Sequence, residues 1–107
     1  MKFTCHCGAL LIDQTDNLPH KGHVIPDQAW FGVMEAWDAR VIDRLAAKTI
    51  TADEAARVSR EILINAVREM YQCAACGRIY LNDSEHRLQC YRPESDETPK
   101  DVLRVGH

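Results

Sequence analysis

No apolar run in this chain approaches the ~20 residues that a membrane-spanning helix requires. The opening MKFTCHCGALL also lacks the uninterrupted apolar centre of a secretory signal. Both absences argue against a membrane segment and lead us to expect a cytoplasmic protein. Nor is there a basic excess: 13 Lys and Arg against 16 Asp and Glu leave a formal net charge of −3. A grip on nucleic-acid phosphates or on an anionic membrane surface needs clustered cations, so a basic protein suits this chain better as a partner. Low-complexity tracts are missing too, and nothing repeats apart from two short cysteine motifs.

What is present is the composition of a folded protein. Hydrophobic residues make up 46% and charged residues 27%, well away from the disordered class. The length of 107 residues fits a single domain, 1–107. A chain of this size buries a modest fraction of its surface, so a metal cross-link would add materially to its stability.

The pattern along the chain predicts an α+β fold. Lys2-Phe3-Thr4 reads as a short strand, Cys5-His6-Cys7-Gly8 as a tight turn, and Ala9 to Asp13 as the returning strand. Lys21 to Ile25 is a further strand, and Pro26-Asp27-Gln28 starts a helix. Trp30, Met34, Trp37, Val41 and Leu45 recur at helical spacing and are read as its core face. Lys48 to Ile50 is a break, because Thr51-Ala52-Asp53-Glu54 matches a capping box. The second helix carries Ala55, Val58, Ile62, Ala66 and Met70 on one side, so the two helices are expected to pack as an antiparallel hairpin. After Tyr71 the chain returns to turn and strand signals, with Cys73-Ala74-Ala75-Cys76-Gly77 on a hairpin and a strand around Leu88 to Tyr91.

The chemistry lies in the cysteines. Zinc prefers four tetrahedral ligands, and the pairs Cys5/Cys7 and Cys73/Cys76 supply four thiolates on two tight turns. In a reducing compartment such pairs are metal ligands or redox centres more often than disulfides. A thioredoxin-type CxxC would open a helix, whereas Cys76 leads into a glycine and a strand. Four thiolates could also hold iron, but zinc is the commoner structural occupant. One structural Zn2+ on Cys5, Cys7, Cys73 and Cys76 is therefore expected, with no open position for catalysis. Cys90 is read as a small buried hydrophobe, His6 as pointing away from the metal, and His20, His23 and His86 as surface residues without a motif. An enzyme built on those histidines has no motif behind it.

CHCG, DQTDNLPHKGHVIPDQAWF, YQCAACGRIYL and RLQCYRPE resemble, over nearly the whole chain, small bacterial zinc-ribbon-like proteins with the pattern CxCG, DQxWF and CxxCGR. The resemblance implies a split zinc ribbon with an inserted helical hairpin. The ribbon would comprise 1–25 and 71–93, the insertion 26–70, and the C-terminal tail 94–107. Some members look like immunity proteins, so the resemblance implies a non-enzymatic protein that binds and neutralises a cognate toxin, for which a basic toxin domain is the partner expected. The alternative is a ribbon associated with nucleic acid or transcription, supported only by Arg78, Arg87 and Arg92 around the second hairpin.

Overall fold

A computed structural model describes residues 1–106. Among them the elements run β1 (Lys2–Thr4), β2 (Leu10–Ile12), β3 (Lys21–Val24), α1 (Asp27–Trp37), a π-helical turn (Asp38–Ile42) and α2 (Asp43–Ala46). They continue with α3 (Ala52–Ala66), β4 (Arg68–Gln72), β5 (Ile79–Asn82) and β6 (Leu88–Tyr91). Two antiparallel sheets form: β1 with β2, and a four-stranded sheet ordered β3-β4-β5-β6. The fold is thus α+β, with two small sheets and a helical region.

The chain divides into two compact units, Met1–Val24 with the segment from Arg68 onward, and Ile25–Val67. Strands β3 and β4 pair from Lys21↔Tyr71 to Val24↔Arg68, so the helical unit is spliced between two hydrogen-bonded strands. The expected insertion of 26–70 is accordingly too long at its C-terminal end. Helix α3 stops at Ala66, and Met70, assigned from its spacing to that helix, pairs in β4 with Gly22 and Leu81. Arg68-Glu69-Met70-Tyr71-Gln72 alternates too weakly for a strand to be read from the sequence, and the pairing with β3 decides the matter.

In the β unit, Cys5, Leu11, Tyr71, Cys73 and Tyr80 form the buried cluster, with Phe3 edge-on to both tyrosines. The Tyr71 hydroxyl lies 2.6 Å from Asp13 Oδ2 and 2.7 Å from Glu69 Oε2, one hydrogen serving both carboxylates. Lys21 donates to Asp13 at 2.8 Å and lies 3.8 Å from Glu69 Oε1, offsetting part of the charge of the two carboxylates. The stretch beyond Pro93 is fastened to this unit as well. Buried Gln72 donates to Pro99 O at 3.1 Å and accepts from the Val102 amide at 2.9 Å.

The helical unit has its own aliphatic cluster of Val33, Val41, Ile50, Ala55, Val58 and Ile62. Thr51 and Glu54 form the expected capping box, each accepting the other's backbone N–H. The core face of the first helix differs from the expected stripe. Val33, Trp37 and Val41 face inward, while Trp30, Met34 and Leu45 are exposed. In a regular α-helix successive steps of four residues rotate forward around the axis. The π turn at Asp38–Ile42 absorbs that drift and keeps Val41 in line with Val33 and Trp37. A π turn leaves no local sequence signature, so the periodicity picked the neighbouring stripe.

Candidate metal centre

Both cysteine pairs sit on hairpin turns of the β unit. Cys5 and Cys7 lie between β1 and β2, and Cys73 and Cys76 between β4 and β5. The two turns are braced alike despite their different spacing. In the first, the Cys5 amide donates to Ala9 O at 2.8 Å and the Gly8 amide to Cys5 O at 2.9 Å. In the second, the Cys73 amide donates to Arg78 O at 2.9 Å and the Gly77 amide to Cys73 O at 2.7 Å. Gly8 at φ 96° and Gly77 at φ 84° close the turns in the left-handed region.

This folding brings all four sulfurs together, every pair of Sγ atoms within 4.8 Å. Cys5 Sγ is 3.6 Å from Cys76 Sγ, and Cys7 Sγ is 3.6 Å from Cys73 Sγ. A tetrahedron of ~2.3 Å metal–sulfur bonds has edges of about 3.8 Å, so the donor set has the size a zinc-like ion requires. No disulfide joins any of these cysteines. Four thiolates this close repel one another unless a cation shares the space, and a divalent ion meets that need. The arrangement can therefore hold a metal ion.

The sulfurs are not equivalent. Burial pushes the Cys73 thiol up to about 11. At Cys76 burial also opposes ionisation, but the Arg78 backbone amide and guanidinium bring the thiol down to about 6. The guanidinium Nη1 donates to Cys76 Sγ at 3.3 Å. At Cys5 burial is again outweighed, here by the Cys7 backbone amide and by the Tyr80 hydroxyl, which donates to Cys5 Sγ at 3.2 Å. Tyr80 also accepts from the His6 amide at 2.9 Å, so one side chain orients the first turn and supports its buried sulfur. Cys7 is the exposed member of the set.

Among the described residues, the histidines stay outside the cluster. The His6 ring stacks on Tyr80 with centroids 6.1 Å apart and planes 5° from parallel. His20 Nε2 lies 2.9 Å from Ile12 O, His23 is exposed on β3, and His86 occupies a positive-φ turn position. Cys90 is exposed on β6 opposite Tyr80, contrary to the buried position expected from its strand. The expectation rested on alternation with Leu88, which is itself only partly buried at this edge strand. Sequence reasoning missed Tyr80 and the Arg78–Cys76 contact. The only available signal was the inward register of Tyr80 on β5.

No curated protein and no solved structure matches this chain. A family model described as a domain of unknown function does match, over residues 1–95, and that span holds both cysteine turns and the helical unit. The chain belongs to that family, DUF8617.

Proposed function

We propose that the chain is a zinc-stapled, non-enzymatic binding protein of the cytoplasm, a split zinc ribbon whose role is to hold and neutralise a protein partner in the manner of an immunity protein. The observation that carries this reading is the closed donor set. Cys5, Cys7, Cys73 and Cys76 offer four sulfurs in one place, enough to fill every position of a tetrahedral ion and leave none for water or substrate, which suits a structural ion. When bound, the ion supplies charge compensation and a cross-link. Hydrogen bonds from Tyr80 and Arg78 favour, at Cys5 and Cys76, the ionised form that such an ion takes. The acidic balance of the chain favours a basic partner, which electrostatic attraction would steer.

Metal analysis of the purified protein should return one zinc per chain. Co-expression with the protein encoded beside it should yield a stable complex in which the partner's toxicity is lost. A folded, zinc-loaded protein that binds no neighbour-encoded product would overturn the immunity reading.

A second reading has one observation in its favour. Arg78 and Arg92 line a groove of about 700 Å³ beside Cys76, where a ribbon would meet nucleic acid. Glu94 and Asp96 share that groove and weaken it as a phosphate track. Salt-dependent oligonucleotide binding at micromolar concentration would establish this alternative, and its absence at low salt would remove it.

A further inference from the structure

The first helical stretch has two apolar faces, and only one is used by the core. Val33, Trp37 and Val41 pack inward. On the stripe beside it Trp30 is 46% exposed, Phe31 69%, Met34 50%, Ile42 52% and Leu45 40%. The π turn that aligns the inner face aligns the outer one too, since Ile42 falls back into line with Met34, and Leu45 with Trp30. Five large side chains on one helical face is more apolar surface than scattered exposure accounts for, and aromatic and Met residues of this kind are the usual anchors of protein interfaces.

Charge on that face says what covers it. Asp27, Glu35, Asp38 and Asp43 are all exposed along its outer flank, and none takes part in an ion pair among the described residues. The cations of the same stretch lie at the inner margin, where Arg40 approaches Glu61 of α3 at 3.7 Å. The outer face is therefore an apolar stripe with a purely acidic border. A second copy paired antiparallel across this stripe would set acidic border against acidic border, which disfavours self-association.

We propose that this outer face, centred on Trp30 and Met34, is the docking surface for a basic protein partner, which lays an apolar patch ringed by Lys or Arg against it. The proposal rests on the partner-binding reading above and assigns it to the helical unit. Trp30 and Met34 supply the apolar seat, and Asp27 and Asp38 set the sign of the charge it accepts.

The test uses the full zinc-loaded chain and two synthetic 18-residue amphipathic helices, one of Leu and Lys and one of Leu and Glu in the same pattern. Tryptophan fluorescence should report binding of the Leu/Lys peptide, weakening as salt is raised, and little binding of the Leu/Glu peptide. The double variant Trp30→Ala/Met34→Ala, followed by a reporter on the peptide, should bind at least about tenfold more weakly. Asp27→Asn/Asp38→Asn should flatten the salt dependence, whereas Ile64→Ala, an exposed apolar position on α3, should change nothing. Equal binding of both peptides, undiminished binding by the Trp30/Met34 variant, or wild-type self-association that the same variant abolishes would each overturn the assignment. A neighbour-encoded partner that binds the Trp30/Met34 variant as tightly as wild type would overturn this face while leaving the partner-binding reading intact. Absence of any such partner, with the peptide results as expected, would overturn the reading and leave the face.

Discussion

The two units of this chain reach a buried core by different means. In the β unit the cluster is Cys5, Leu11, Tyr71, Cys73 and Tyr80, so two of its five buried members are candidate metal ligands and two are tyrosines whose hydroxyls need partners. In the helical unit the cluster of Val33, Val41, Ile50, Ala55, Val58 and Ile62 is aliphatic throughout. Burial of aliphatic surface stabilises without partners, at roughly 25 cal/mol per Å². Buried thiols and hydroxyls stabilise only when their polar atoms are satisfied. The first core should therefore depend on metal and hydrogen bonds, and the second on packing alone.

The sharpest way to break that contrast is to remove the metal. Replacing Cys73→Ser with Cys76→Ser, or treating the protein with a strong chelator, should destroy the fold of the β unit, because structural zinc carries on the order of 10 kcal/mol of folding free energy. Hydrogen exchange should show β4 and β5 losing amide protection while α3 keeps more of its own. A full cooperative transition retained in the metal-free protein would contradict the dependence.

The complementary change is Ile62→Ala in α3. It removes a buried aliphatic side chain and should cost about 2–4 kcal/mol by transfer and cavity effects. The loss should appear in the protection of α3 amides, with metal stoichiometry unchanged. A parallel fall in metal affinity would mean that the two cores are not separable.

A third test uses acid. Hydrogen bonds from Lys21 and from the Tyr71 hydroxyl hold the Asp13 carboxyl below its ordinary value of 3.8. A group whose pKa is depressed by folding contributes stability above its unfolded value and loses it as pH falls through the folded one. The advantage of wild type over Asp13→Asn should thus be full above about pH 4 and shrink below it. Acid also protonates thiolates and releases metal. The difference between the two proteins at each pH, measured by thermal unfolding, isolates the carboxylate. A constant difference across the range would show that Asp13 acts by packing.

Much of this organisation could be read from residue types alone where local chemistry decides. The paired cysteines on their turns, the glycines that follow them and the Thr51–Glu54 capping box each act within a few residues, and the structure places them as expected. What escaped was decided at long range. Strand β4 exists because β3 and β5 flank it, and its own five residues carry little strand signal. Gln72 reads as an ordinary polar residue, yet it is buried and binds Pro99 and Val102, far along the chain. The inner face of α1 depends on a π turn, and the periodicity of Trp30, Met34 and Leu45 belonged to the face left exposed.

The smallest expected effect lies at the end of α2. The Thr49 amide donates to Arg44 O at 2.9 Å and the Lys48 amide to Leu45 O at 3.0 Å, the paired bonds of a Schellman cap. The position this motif reserves for a left-handed residue is held by Lys48 at φ 58°, where a side chain costs free energy that glycine avoids. Part of that gain is offset by the greater freedom of glycine in the unfolded chain. Lys48→Gly should still stabilise the helical unit by about 0.5 kcal/mol, visible as a higher urea midpoint for helix loss, with the β unit and its metal content unmoved. Destabilisation would show that the Lys48 side chain contributes more than its strained backbone takes away.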